Sequence, residues 1–452
     1  MRAHVSFFVV GLALVVLCAE TVIAAERPPN IVLIVADDLG YGDLACYGSM
    51  TNKTPHIDAL AASGLRFVDF HSGGPMCSPT RAAMLTGQYQ QRFGTRFDGP
   101  LSEERDWDHG LPHTAVTIAE VFRSAGYATA CFGKWHLGYH PPFLPPDQGF
   151  DEFRGLTSGD GDYHTQISRA GRADWWHNNE HEATSGYTTD LLTRYSIEFI
   201  EQHRERPFLL YVPHLAIHFP WQGPDDPPQR QLGTDYADEK WGIIPDRNNV
   251  QPHVQAMVAA LDASVGEIVA SLKRLGLEQN TVLVFTSDNG GYLHYDHKFH
   301  NISSNGPLRG QKGTIYEGGH RVPAIVVWPG KIEPGETAEI AHSTDLLPTF
   351  ARIAGIDTAG LTLDGFDISP LLLQGRPLPE RRLFWRSEAR RAVRSGPWKL
   401  CVAGGAPELY NLQDDLAEQH DLAAEQPERV QELLSAWHAW EADVNRSAAE
   451  LQ

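Results

Sequence analysis

Two pairs of oxygen-bearing side chains have the spacing for metal chemistry. Asp37-Asp38 follows an apolar run at 31–36, and Asp288-Asn289 follows another at 282–286. Carboxylates gathered in one place raise one another's pKa, so the group is costly unless a cation neutralises it. An all-oxygen donor set suits calcium or magnesium better than zinc. A single Asp after a strand commonly caps a turn or helix, but two such pairs together favour a bound divalent cation. Cys77 lies in Met76-Cys77-Ser78-Pro79-Thr80-Arg81, where Ser78 reads as a helix cap and Pro79 as the first helical residue. Residue 77 then stands beside backbone N–H groups and Arg81, which fits a reactive cysteine. A buried structural thiol fits the same residues. Lys134 and His136 share one short loop, and Lys312 lies in the glycine-rich stretch 308–319. These cations could converge on one anion.

Elements able to position these groups can be read from the apolar pattern. Runs at 31–36, 128–132, 208–212, 282–286 and 324–328 read as buried parallel strands. Helices are expected at 55–63, 114–125, 188–204, 252–275 and 344–353, with Gly64, Gly126 and Gly276 as stop signals. The alternation implies an α/β fold: a large mixed, mostly parallel sheet sandwiched by helices. Ligands of such sheets bind beyond the carboxyl ends of the strands. Asp37-Asp38, Lys134 with His136, His214 with His218, and Asp288-Asn289 all follow strands, so four strands deliver them to one edge. From about residue 380 the texture changes. Short strands at 383–385, 391–394, 398–402 and 408–411 precede an amphipathic helix at 427–442, with Val430, Leu433, Leu434, Trp437 and Trp440 on one face. The expected division is a catalytic domain over 26–375 and a small C-terminal antiparallel sheet plus helix over 376–452.

The chain has 452 residues and a formal net charge of −20, which argues against a general nucleic-acid binder. An anionic substrate then needs a local cluster of cations within a repulsive overall field. Arg2 and His4 precede an apolar run at 5–18, and small residues follow at Ala24-Ala25. Residues 1–25 therefore read as a secretory signal peptide, too short in its apolar part for a comfortable membrane span. The expectation is an exported protein, periplasmic or secreted, without stable membrane insertion. Cys46, Cys77, Cys131 and Cys401 remain after the signal segment and allow at most two disulfides.

Six motifs in order carry a family resemblance. They are Asp37-Asp38; Cys77-Ser78-Pro79-Thr80-Arg81 continuing to Leu85-Thr86-Gly87; Gly133-Lys134-Trp135-His136; Ile217-His218-Phe219-Pro220; Ser287-Asp288-Asn289-Gly290; and Lys312-Gly313-Thr314. Together they resemble the formylglycine-dependent sulfatases of the alkaline phosphatase superfamily, in particular arylsulfatase and N-acetylgalactosamine-6-sulfatase-like exported enzymes. The resemblance runs from Asn30 to the C-terminal helix. It implies that a formylglycine-generating maturation enzyme converts Cys77 to formylglycine, whose hydrate attacks sulfur. It also implies one calcium ion held by Asp37, Asp38, Asp288, Asn289 and residue 77. Lys134, His218 and Lys312 would bind the sulfate group, with Arg81 supporting the nucleophile. His218 would protonate the departing alcohol, and His136 would take a proton from the second hydroxyl. His214 is a second histidine nearby, and His218 is preferred because it fits the His-x-Pro pattern. Thr80 departs from the serine or alanine more usual there.

The resemblance further implies hydrolysis of sulfate esters, with sulfated carbohydrates as substrates: glycosaminoglycan or algal polysaccharide fragments. The loop at 156–164 and Trp175-Trp176-His177 could face a sugar ring, and packing in the core suits the tryptophans equally. Two other readings compete. One is a phosphonate or phosphodiester hydrolase on the same scaffold, and the other an inactive calcium-dependent glycan-binding protein.

Overall fold

Strand β1, Asn30–Ala36, is buried at all seven positions. Successive side chains of a strand point to opposite faces. Val32 and Ile34 accordingly enter one hydrophobic core with Met257 and Leu261, while Ile31, Leu33 and Val35 enter a second with Met84 and Phe122. A strand with a core on each side must be apolar throughout, so it reads as an unbroken run rather than an alternation. The computed structural model describes residues 27–236 and 244–450, and the expected signal segment lies outside them.

With β1 in the main sheet are β2 (Leu65–His71), β3 (Ala128–Lys134), β4 (Glu152–Leu156), β5 (Trp176–His177), β6 (Glu180–His181), β7 (Phe208–Pro213) and β8 (Thr281–Ser287). A hairpin of β9 (His294–Tyr295) and β10 (Phe299–His300) stands apart, and β11 (Arg321–Val327), β12 (Gly335–Thr337) and β13 (Ala341–His342) complete the sheet. Among the described residues its order is β12-β2-β11-β8-β1-β7-β3-β4-β5-β6, with β13 also paired to β2. The central pairs β8·β1, β1·β7, β7·β3 and β3·β4 are parallel, as expected of an α/β fold.

One strand runs against the expectation. β11 is antiparallel to both β8 and β2. After β8 the chain stays at the carboxyl edge through residues 288–320, without a long crossover helix, so the next strand has to run back. β2 itself was not expected from the sequence; it is half-buried at its start, wholly buried at its end, and feeds the Cys77–Thr86 helix. The helix expected at 114–125 begins only at Ile118, because Thr117 and Glu120 form a capping box there. The helix Gln251–Arg274 is long and apolar enough to cross a membrane by composition. Its Met257, Val258, Leu261, Val265, Ile268 and Leu272 are instead buried in the core.

Strands β14 (Arg382–Ser387), β15 (Arg390–Ser395), β16 (Trp398–Val402) and β17 (Glu408–Asn411) form a separate antiparallel sheet. The following helix, Pro427–Glu450, extends past its expected end at 442 and buries Val430, Leu433, Trp437 and Trp440 against that sheet. Trp385 is fully buried, stacks on His320 at 4.0 Å and donates its indole N–H to the Ser72 carbonyl at 2.9 Å. Beneath it lies a charge network joining the two sheets. Lys399 meets Glu317 at 2.9 Å and Glu418 at 3.0 Å, and Arg394 meets Asp69 at 2.8 Å and Glu317 at 3.3 Å. With Arg321, three cations match three carboxylates around Glu317. No bridge was required to hold this interface: Cys46, Cys77, Cys131 and Cys401 are all free thiols.

Removing one partner of a buried pair leaves the other charge uncompensated. Lys399→Met is therefore expected to lower stability by about 3–5 kcal/mol in urea denaturation. The double variant with Glu418→Gln should recover much of that loss, because it removes the stranded carboxylate as well.

Candidate active site

Cys77 opens the helix Cys77–Thr86, with Met76 as its N-cap, so the helix starts two residues before the expected Pro79. Ser78 is consequently not the cap. Its hydroxyl accepts from the Leu101 N–H at 3.1 Å and ties the helix to the wall of the cavity. The Thr80 hydroxyl accepts from the Gly74 N–H at 3.0 Å and donates to the Gly74 carbonyl at 2.8 Å. A threonine at 80 thus clamps the turn that presents residue 77, and its extra methyl is accommodated in full burial.

Arg81 lies one turn further on and is completely buried. Its Nε and Nη2 donate to Asp288 Oδ2 at 3.1 and 2.8 Å, Nη2 reaches Asp37 Oδ2 at 3.3 Å, and Nη1 donates to the Lys134 carbonyl at 2.6 Å. Burial opposes its charge, but Asp288 and its other anionic neighbours hold its pKa above the ordinary value. Lys134 and Lys312 place their ammonium groups on Asp37 and Asp38 respectively. Lys312 also approaches Cys77 Sγ at 3.3 Å, and Cys77 Sγ lies 3.4 Å from Asp37 Oδ1. Asp37, Asp38 and Asp288 thus face Arg81, Lys134 and Lys312, all nearly or wholly buried.

Burial raises the pKa of Asp37 despite Lys134, and burial together with Asp37 raises that of Asp288. The same desolvation, with Asp37 beside it, pushes the Cys77 thiol up to about 12. Of the two readings open for this thiol, the raised pKa fits the buried one: the helix N-terminus is present, but the Arg81 guanidinium is engaged by carboxylates, and a buried sulfur loses more in desolvation than it gains. Asn289 donates its amide N–H to Asp38 Oδ1 at 2.8 Å, while its own Oδ1 is buried with no hydrogen-bond partner. An orphaned amide oxygen beside buried carboxylates is a donor set that fits a hard divalent cation.

The histidines separate in space. His136 donates from Nε2 to the Leu101 carbonyl at 2.9 Å, which leaves Nδ1 as the bare acceptor, buried and unpartnered. His218 donates from Nδ1 to the Phe219 carbonyl at 2.8 Å, and its Nε2 lies 3.7 Å from Asp38. Burial, with Lys134 adding, holds both histidines well below the ordinary imidazole range. His214 is fully buried behind the sheet edge, 3.4 Å from Ser264 on the helix Gln251–Arg274. Of the described histidines, His136 and His218 share a cavity with Cys77 and Lys312. Asp38 and His136 both adopt left-handed backbone, φ 62° and 57°, a strained conformation that the surrounding packing must enforce.

The cavity over these groups holds about 500 Å³. Met76, Cys77 and Lys312 form its floor, with Glu103, Tyr139, Asp160, Arg169, Tyr292 and Tyr295 among its walls. The sequence profile of the Sulfatase family matches residues 29–356, which include every one of these side chains. The chain belongs to the sulfatase family. It is 37% identical over 465 residues to human arylsulfatase A, covering 92% of this chain and 87% of that protein. It is 34% identical to rat N-acetylgalactosamine-6-sulfatase, covering 83% and 71%. A solved structure of Ps i-CgsB with k-i-k-neocarrahexaose superposes with a TM-score of 0.80 at 31% identity, covering 93% of this chain and 94% of that one. The fold and the reaction class follow: this is an alkaline phosphatase-like sulfatase, an enzyme that hydrolyses sulfate esters.

Two tryptophans of this sulfatase lie elsewhere than a sugar site would need. Trp175 and Trp176 are buried, Trp175 near Tyr195 and Trp176 against His181, so they pack the sheet end. The neighbouring loop does reach the cavity through Ser158, Gly159 and Asp160. Gly159 is required there, because a Cβ would come within 2.7 Å of the His136 ring. Glu103, Tyr139 and Arg169 were not singled out from the sequence, since none follows a strand or belongs to a motif.

Arg81→Met is expected to cost about 3–5 kcal/mol of stability by stranding Asp37 and Asp288. Arg81→Lys should restore only part of it, since an ammonium cannot reproduce the planar fork. Full recovery by lysine, measured by thermal and urea unfolding, would mean that charge alone matters at this position.

Proposed function

We propose that this sulfatase hydrolyses sulfate esters of carbohydrates with residue 77 in its formylglycine form and a calcium ion beside it. The observation that carries the reading is the convergence of Cys77, Arg81, Lys134, His136, His218 and Lys312 with three buried carboxylates at one sheet edge. Asp37, Asp38, Asp288, Asn289 and residue 77 would hold the cation, for which the unpartnered Asn289 oxygen is the clearest donor. When present, the two groups supply an acidified hydroxyl nucleophile that a thiol of pKa about 12 is not.

Every other part of the reaction falls to side chains of the chain. Lys134 and Lys312 bind the sulfate oxygens and neutralise charge as it moves toward the ester oxygen. Arg81 fixes Asp37 and Asp288 and so orients residue 77. His218 faces the cavity with Nε2 and carries a proton there for the departing alcohol; an anionic ester bound beside it counters part of the burial and lysine charge that otherwise hold this imidazole neutral. His136 presents the bare Nδ1 required to take a proton at residue 77, because the Leu101 carbonyl fixes the opposite tautomer. The hydrate form matters for turnover, since its second hydroxyl provides a route for releasing sulfate that a serine lacks.

The neocarrahexaose bound to Ps i-CgsB and the amino-sugar named in the rat relative support a carbohydrate substrate. The apolar run at 5–18 with Ala24-Ala25 supports export to the periplasm or outside the cell, where such polymers occur. In this reading residues 26–375 carry the chemistry, 376–452 brace them, and a formylglycine-generating enzyme is the maturation partner.

Sulfate release from a panel of sulfated oligosaccharides is expected from protein matured with that partner, and none from Cys77→Ala. Preferential turnover of phosphonate or phosphodiester substrates would favour the hydrolase alternative, and binding without turnover by aldehyde-bearing protein the lectin-like one. Chelation is expected to lower melting temperature and activity together, with calcium restoring both. A cation bound only by the folded state stabilises it by about 2.7 kcal/mol at a hundredfold excess over its Kd. An unchanged melting temperature after exhaustive chelation would remove the cation from the scheme.

A further inference from the structure

The cavity carries a cation that the sulfate-binding groups do not account for. Arg169 lies on its wall, with its side chain 35% exposed, and shares the cavity with Cys77, His218 and Lys312. Its guanidinium is held by the Asp160 carboxylate and lies over the Phe219 ring, 5.5 Å from the centroid. Asp160 is shared: its other oxygen accepts from Arg230 Nη1 at 2.9 Å, and Arg230 is wholly buried. Arg230 is anchored in turn by the Ile167 carbonyl at 3.1 Å, and the Arg169 carbonyl accepts from the Tyr236 N–H at 2.8 Å. Two guanidiniums on one carboxylate leave one positive charge over. The buried member cannot present it, so the exposed one does.

Among the described residues, the other carboxylates at this cavity do not pair with it directly; Glu104 acts on Arg169 only through its charge. Glu103 on the wall is engaged by Arg172 at 3.3 Å, and burial, with Asp174 adding, pushes its carboxyl up to about 7. Glu104 is at the exposed rim. Lys312, the cation on the floor beside Asp38 and Cys77, is the one assigned to the sulfate ester itself. Against a whole-chain charge of −20, a rigidly braced surplus cation inside the substrate cavity is a recognition element.

We propose that Arg169 reads a second anionic substituent, sulfate or carboxylate, on the saccharide whose sulfate ester is cleaved. The planar fork of arginine suits either group. The inference rests on the carbohydrate sulfatase reading and narrows its substrates to multiply charged saccharides.

The test measures calorimetric binding to the Cys77→Ala protein, so that it does not depend on turnover. The probes are a monosulfated galactose, a disulfated galactose, and a monosulfated disaccharide that carries a uronate. The expected preference for at least one doubly charged probe over the monosulfated sugar is about tenfold, the worth of one charge-assisted pair. Arg169→Gln should reduce that preference to within twofold, and Arg169→Lys should keep most of it. Which doubly charged probe gains distinguishes sulfate from carboxylate. Binding to the preferred probe should also weaken more steeply with added salt than binding to the monosulfated one, an outcome readable in Cys77→Ala alone. Equal losses for all three probes in Arg169→Gln, or a preference that survives that change, would overturn the assignment. The sulfatase reading fails separately, through absent sulfate release by matured protein.

Discussion

The buried guanidinium of Arg81 is the contact on which the site depends. It reaches from the Cys77 helix to Asp288 after β8, to Asp37 after β1 and to the Lys134 carbonyl at the end of β3. Three strands and one helix are thus tied through one planar group. Six charges, its own included, meet here in a volume that excludes water, where an unmatched charge would cost several kcal/mol. The pairing of three carboxylates with three cations satisfies that constraint and at the same time assembles the groups a sulfate ester needs. Stability and chemistry share the same residues here, so neither can be altered alone.

The architecture around that point removes freedom from each participant. Parallel strands β1, β7, β3 and β8 end at a common edge and release their next residues into it. Left-handed backbone at Asp38 and His136 turns the chain sharply at two of those ends. The C-terminal sheet and helix act from behind. Trp385 holds the Ser72 carbonyl, and Arg92 just beyond the Cys77 helix is gripped by Asp364 at 2.6 Å and Asp443 of the terminal helix at 2.8 Å. The segment before Cys77 and the segment after its helix are therefore both fixed by residues far along the chain. Preorganisation of this kind is what lets fixed donors act on a developing charge without reorganising.

Polarity differs between the floor and the walls of the cavity. The floor is a buried cluster in which three carboxylates face three cations, and its two histidines have tautomers set by backbone carbonyls of Leu101 and Phe219. The walls carry groups that take no part in that pairing: Glu103 engaged by Arg172, Arg169 held by Asp160, and Tyr139, buried with no hydrogen-bond partner for its hydroxyl. Reaction chemistry constrains the first set; the shape and charge of the saccharide constrain the second. A single scaffold can thus keep its reaction while its walls change, as fold and site are separable.

The sequence by itself determined the elements whose cause is local. Unbroken β-branched runs marked the central strands because both faces are buried, and the Asp, Lys and His residues after them marked the binding edge. The C-terminal sheet and its Trp-bearing helix were equally legible, from short runs broken by turns and from helical spacing. What only the tertiary structure decided has its cause at long range. The direction of β11 depends on where residues 288–320 run, and β2 is stabilised as a strand by neighbours that follow it by some 250 positions in the chain. The Cys77 pKa is set by burial and Asp37, not by its helix terminus. His214 and His218 stand four residues apart, yet only one faces the cavity. Arg81 with Asp288 is separated by 207 residues, and Arg230 with Asp160 by 70. Local periodicity records which face of an element is buried; it holds no record of which distant charge will be opposite, because that pairing exists only once the sheet has closed the distance.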